Sequence, residues 1–433
     1  MRDRPTTLFV ALLVVLRVLP GSAQAPESAA LTVREAVEEA VTRNPEIQAM
    51  RAQVDVQRPG PQQQRALPPP MSEAQIWQWP LNTLNPARTN MYMFMLTQEF
   101  PGRGKRALRV GVAEKDIAVA ESGVVARTRD VINQVKQTYA DLFVSRKAAE
   151  TDRAAADLLR QLADVAQAKY ETGRISQQDV LKPIVELSQL QEGLLKLAQQ
   201  GDAARARLNA LMGRRPDAAI GPLTESHELE LTAPSRELQE LAIGQHPELL
   251  TARLQTERAD AALAVTRRDF APDFSVQGGY MLTPDDTDAW TGRVGITWPG
   301  APWSKKGIAA RVAQDRAVVA ASTAQVAVIE NTVRLRVEDA YVRAKAAQQR
   351  AALLRTTILP QSQQTLDVSR IAYQTDRVDF LALLDNQRTL LDARLSYFRA
   401  LAEQDQALAD LELAIGGDLP ATAIRALAIR EVK

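Results

Sequence analysis

Between positions 177 and 211 the apolar residues Leu187, Leu190, Leu194, Leu197, Ala204, Leu208 and Leu211 are separated by three, four or seven places. That spacing lays an apolar seam along one side of a helix, as in a coiled coil. The segment returns later in the chain. Residues 170–213 align with residues 373–416 at a constant offset of 203, with ten identities in 44 positions, among them Tyr170/Tyr373, Thr172/Thr375, Arg174/Arg377, Leu208/Leu411 and Gly213/Gly416. So long a period is foreign to solenoids and marks two copies of one half-domain.

Each copy opens with a shorter helix. The first covers residues 32–58, with Thr32 and Glu35 spaced as a capping box and Ala36, Val37, Ala40, Val41, Ile47 and Met50 on its apolar side; the second covers 236–268. Asn44-Pro45-Glu46 and His246-Pro247-Glu248 lie 202 apart. Each proline should start or kink a helical segment, which makes His246 a cap or loop residue. Prolines from Pro59 onward end the first helix and Pro272 ends the second. Two strand-like runs follow in each copy, 72–79 and 91–100, then 273–282 and 290–298, split by turns rich in Pro, Asn and Asp.

Each hairpin leads through a basic turn into a long helix. Residues 105–172 hold no proline, so at about 1.5 Å per residue this helix reaches roughly 100 Å. Residues 305–375 are as long, but Pro360 should break or kink them. The predicted organisation is a leader (1–23), a first repeat (24–213, with hairpin 72–100 and helical hairpin 105–213), an irregular connector (214–235), a second repeat (236–416, with hairpin 273–298 and helical hairpin 305–416) and a tail (417–433).

The leader follows from Arg2 and Arg4, the apolar run 8–16 and the small residues Gly21, Ser22 and Ala23, the layout of a secretory signal cleaved after Ala23. Net charge is +1, which disfavours nucleic acid as a partner. There is no cysteine, which excludes disulfides, thiolate chemistry and lipid attachment through a thiol. The two histidines, His227 and His246, both fall in connecting segments. With no nucleophile elbow, phosphate loop or zinc-binding helix either, no catalytic residue, metal site or cofactor is expected and the chain reads as a non-enzyme.

All five tryptophans lie in or beside the hairpins. Trp77, Trp79, Tyr92, Phe94, Tyr280, Trp290 and Trp298 fit an aromatic girdle where strands cross a lipid interface, with Trp303 close by; a small soluble sheet capping the helices is the plainer reading of the same residues. Four strands cannot close a barrel, which needs about eight, and only a closed barrel satisfies β-backbone in lipid. The fold class is therefore mainly α with a small β part: duplicated antiparallel helical hairpins, plus four strands that join those of other chains in an outer-membrane barrel continued by helices into the periplasm.

The order helix, hairpin, long helix, turn, long helix, performed twice, resembles the TolC family of outer-membrane efflux proteins. Gln98-Glu-Phe-Pro-Gly-Arg-Gly-Lys105, Gln177-Gln-Asp-Val-Leu181, Leu208-Asn-Ala-Leu-Met-Gly213 and residues 380–390 resemble its CzcC-like heavy-metal branch, associated with RND pumps. The resemblance implies a homotrimer with a 12-stranded barrel set in outer-membrane lipid and a 12-helix periplasmic tunnel. Its implied partners are a periplasmic adaptor and an inner-membrane RND-type pump. It also implies that the two helical turns form the periplasmic tip, with Gly173, Arg174 and Asp179 at the first and Tyr373, Asp376, Arg377, Asp379 and Asp385 at the second as gate candidates. Asp376 departs from the family's glycine, Ala382 stands where some members are acidic, and Pro183 lies just inside a helix; capping and solvation are the plainer roles of the tip charges. The competing class is a periplasmic coiled-coil adaptor, which would lack lipid-facing hairpins. The cargo is not legible in the residues.

Overall fold

The computed structural model describes residues 30–426 except 80, 83, 84, 86, 87, 174, 285 and 376. The leader, Arg174 and Asp376 thus lie outside the described residues. Helix α1 (Val33–Arg43) starts at the capping box expected of Thr32: its hydroxyl accepts from Glu35 N (3.1 Å), and the Glu35 carboxylate accepts from Thr32 N (2.9 Å). Asn44 breaks the path, and α2 (Pro45–Gln57) begins on Pro45, whose missing N–H costs nothing in a first turn. The helical path does not stop at Pro59, as the prolines led us to expect. Pro59 and Pro61 instead open a further short helix, α3 (Gly60–Arg65).

Strands β1 (Met71–Trp77) and β2 (Met91–Phe100) lead into α4 (Lys105–Glu171), 67 residues without interruption. Helix α5 (Gln177–Leu211) returns beside it. The second copy runs through α6 (Ser235–Gln245), α7 (Pro247–Arg268), β4 (Phe274–Leu282), β5 (Ala289–Ile296), α8 (Pro302–Leu353), α9 (Leu359–Gln374) and α10 (Phe380–Ile415). Pro360 does not break this long helix. A single π-helical stretch, Leu354–Ile358, joins α8 to α9 and absorbs the missing N–H and the ring clash that proline brings to the preceding turn. Among the described residues no helix is long and apolar enough to cross a membrane.

The connector is less irregular than its composition implied. Its β3 (Leu229–Leu231) pairs antiparallel with β6 (Ile424–Ala426) of the tail, while Leu31 bridges Leu223. These pieces close over two cores at mid-height, and the cores are copies. Ala40, Val131, Val135 and Leu208 fill the first; Ala242, Val333, Val337 and Leu411, 202 or 203 residues on, fill the second. The duplication thus extends to the side chains that hold each half together.

The same level contains a helix splice in each half. Asn44 accepts from Glu46 N (2.9 Å) and Ile47 N (3.3 Å), capping α2, and donates from its amide to the Leu211 carbonyl (2.9 Å) at the end of α5. One buried side chain therefore serves both an orphan carbonyl and two orphan N–H groups. In the second half His246 caps α7, its Nδ1 accepting from Glu248 N (3.2 Å), a role that requires a neutral ring; burial lowers its pKa and keeps it so. Gly416, at φ +77°, brings the end of α10 against His246 and Pro247, as Gly213 at φ +70° brings α5 against Arg43. Each long helix, α4 or α8–α9, thus runs beside a column spliced from two pieces, α5 with α2 or α10 with α7.

Candidate functional site

At one end of the molecule, β2 and β4 unite the two hairpins antiparallel, with Phe94 opposite Tyr280 and Phe100 opposite Phe274, giving a four-stranded sheet in the order β1-β2-β4-β5. Directly paired residues share a face and successive residues alternate. One face carries Ile76, Tyr92, Phe94, Leu96, Val276, Tyr280, Trp290, Val294 and Ile296; the other carries Glu73, Gln75, Thr97, Glu99, Gln277, Thr291 and Arg293. The apolar face lies open: Trp290 is 82% exposed and Val294 76%. A contiguous exposed patch of that kind needs lipid or protein against it, and a ten-residue strand such as β2 matches a tilted bilayer crossing. Strands β1 and β5 each have only one partner, so both sheet edges are unpaired among the described residues.

The girdle candidates divide across this wall. Tyr92, Phe94, Tyr280 and Trp290 stand on the apolar face, where Tyr280 and Trp290 meet edge to face at 5.2 Å. Trp77 does not. It pairs with Met91 and shares the face of Glu73 and Gln75, so it points away from the apolar face. Trp79 and Trp298 lie two residues beyond the ends of β1 and β5, not inside strands; Trp298 packs on Trp303 at 6.0 Å.

Below the wall the two repeats are tied together. Asp273, just before β4, accepts from Gly102 N (2.6 Å) and from the Lys105 ammonium (2.8 Å), and Lys105 is only 3% exposed. Burial disfavours the Asp273 carboxylate, but the lysine and the amide outweigh it and hold its pKa below the usual range.

At the far end, the α4–α5 and α9–α10 turns lie side by side. Gly173 takes φ +69° with open space around it, and its N–H donates to Tyr170 O (2.8 Å). Asp179 completes a capping box with Ser176, accepting from Ser176 N (3.0 Å). Asp379 is the N-cap of α10, accepting from Ala382 N (2.9 Å). Ser176 and Asp379 are counterparts 203 apart, as are Asp179 and Ala382. The capping acid has moved from the third helical position in one turn to the cap itself in the other, which leaves Ala382 no carboxylate duty.

Tyr373 is 8% exposed and packs on Phe380 (5.7 Å between centroids), with the Lys169 ammonium 4.0 Å from its ring; Tyr170 is 42% exposed. Ala166, Leu366, Leu383 and Leu390 complete this apolar knot under the tip. Arg377 and Asp385 are exposed, and no side-chain partner reaches either among the described residues.

A sheet with a lipid-seeking face at one end and a paired helical turn at the other, about 100 Å apart, is the geometry of a duct through one membrane and the space beneath it. The chain matches the Outer membrane efflux protein family over residues 36–214 and 238–417. It belongs to that family. It is 24% identical over 404 residues, 92% of each chain, to the cobalt-zinc-cadmium resistance protein CzcC of Cupriavidus metallidurans. Its fold is that of the VceC outer membrane protein of Vibrio cholerae (TM-score 0.72, 18% identity, 89% of this chain and 96% of that one) and of CusC (TM-score 0.75, 16% identity, 89% and 92%). The chain is an outer-membrane efflux channel of the kind that serves tripartite systems, and members of its family are channels rather than enzymes.

Proposed function

We propose that three copies of this chain close a 12-stranded barrel and form the exit duct for an inner-membrane pump of the RND type, reached through a periplasmic adaptor. The observation that carries this is the four-stranded wall with an apolar outer face and two open edges. Two copies would give eight strands, whose interior side chains fill; three give an open lumen. Export is supported by Arg2, Arg4 and the apolar run 8–16, and the lack of cysteine leaves no thiol for a lipid anchor. The name of the relative from Cupriavidus supports metal cations as cargo.

The cysteine-free chain makes the test clean. Cysteine pairs scanned along β1 and β5 should cross-link neighbouring copies into a species of three chains in detergent-solubilised membranes. A monomer by light scattering, or cross-links only within one chain, would end the proposal.

The tip supports a gate built from fewer residues than the resemblance named. Asp179 and Asp379 are occupied as caps, Gly173 makes the turn and Tyr373 packs. Among the described residues Arg377 and Asp385 have no such duty, which suits them to contacts between copies. A charged pair across a partly desolvated contact exceeds the roughly 0–1 kcal/mol of an exposed one, and symmetry repeats it. Arg377→Ser and Asp385→Ala should each raise single-channel conductance in planar bilayers with unchanged thermal stability. Parental conductance in both would move closure elsewhere.

A further inference from the structure

Five of the eight methionines of this chain, Met71, Met91, Met93, Met95 and Met281, stand on one face of the strand wall, and it is the polar face. A water-filled lumen gives methionine no packing task, and its usual place is an apolar core, where among the described residues only Met212 fully sits. Three of the five converge. Met93 pairs directly with Met281 across β2 and β4, which puts their Cβ atoms about 5 Å apart. Met95 pairs with Gly279, two residues from Met281 on the same face, and its sulfur occupies the space that a side chain at Gly279 would take. The glycine thus seats one thioether next to another. Glu73, opposite Met95, adds a negative charge to this patch.

Thioether sulfur is a soft ligand that favours Cu(I) and its heavier congener Ag(I) over borderline or hard cations. No other soft cluster competes. The chain has no cysteine, its histidines are remote, and among the described residues no group of three His, Cys, Asp or Glu is placed to hold a metal. We infer that Met93, Met95 and Met281 form a binding site for a soft monovalent cation on the barrel wall, repeated in each copy. The lumenal setting rests on the barrel reading above; the cluster itself rests on the register.

The test uses the purified full-length channel in detergent, with Ag(I) as the probe in chloride-free buffer. Equilibrium dialysis should find Ag(I) retained by the parent, and Zn(II) not retained at the same concentration. In Met93→Leu/Met95→Leu/Met281→Leu, where leucine keeps the volume, Ag(I) affinity should fall at least about 100-fold, since losing even an outer-shell partner costs a metal site about 10- to 100-fold. Met50→Leu, in α2, should bind as the parent does, and thermal melting reports whether each variant is folded. Ag(I) should also lower the potassium conductance of the parent in planar bilayers. A folded triple variant that retains Ag(I) like the parent, or a parent that takes up Zn(II) equally, overturns the site. A parent that conducts but takes up no Ag(I) overturns this inference alone, whereas a parent that forms no pore overturns the barrel reading and the lumenal site with it.

Discussion

Gly416→Ala should destabilise the channel by about 2–5 kcal/mol, and Gly213→Ala should do nearly the same. Both glycines hold positive φ, +77° and +70°, where a side chain costs about 1–2 kcal/mol. The space is also taken. A Cβ on Gly416 would lie 2.7 Å from the His246 Cα and 2.5 Å from the Pro247 Cδ, and one on Gly213 2.7 Å from the Arg43 carbonyl oxygen. Backbone and a proline ring cannot swing aside as a flexible side chain can, so overpacking adds about 1–3 kcal/mol. Since each glycine seats one helix end on another, the splice itself would be forced apart. Gly111, in the second turn of α4 with nothing within 4 Å, is the control: alanine there should stabilise by about 0.5–1 kcal/mol. Thermal or denaturant unfolding of the three variants checks the ranking. Equal stabilities for Gly416→Ala and Gly111→Ala would show that the contacts at the splice yield freely.

The second large effect depends on pH. Asp405 on α10 is partly buried, and that burial raises its pKa to about 6, with the Ser226 hydroxyl, His227 and Lys136 pulling the other way. The folded protein keeps the proton up to about pH 6, while the unfolded chain releases it near pH 3.9. The fold is thus unpenalised below about pH 4 and loses stability as pH rises through 6, reaching a constant cost of about 3 kcal/mol above pH 7. Asp405→Asn cannot ionise, and its amide oxygen can still accept from Ser226. It should match the parent near pH 4, exceed it increasingly up to about pH 7 and keep a constant margin above that. Melting curves across that range decide the matter, and a difference that does not change with pH would refute the assignment.

Sequence reading reached far where the information is local or repeated. The capping box at Thr32, the caps at Asn44 and His246, the four strands and the coiled-coil seam are set by neighbours in the chain, and the 203-residue echo exposed the architecture. It fell short where geometry depends on pairing. Trp77 and Phe94 both read as girdle aromatics, yet the registration of β1 on β2 decides which parity of one strand shares a face with the other, and it puts Trp77 on the polar face. Met91, Met93 and Met95 already alternate within one predicted strand, but only the registration brings Met71 and Met281 to their face. Strands β3 and β6 were missed because three residues from each must find a partner almost 200 positions away. At the tip, the shift of the capping acid from Asp179 to Asp379 becomes visible only once helix starts are fixed.

The open edges of the strand wall have a kinetic consequence. Four strands are too few to close on themselves, so β1 and β5 cannot satisfy each other within one chain. Strand pairing at those edges is therefore an encounter between separate molecules, and its rate must rise steeply with the number of chains present. Until the encounter occurs, each chain presents a greasy, unpaired strand edge of the kind that also nucleates aggregation. The lag between synthesis and closure is the interval in which such a chain most needs an escort.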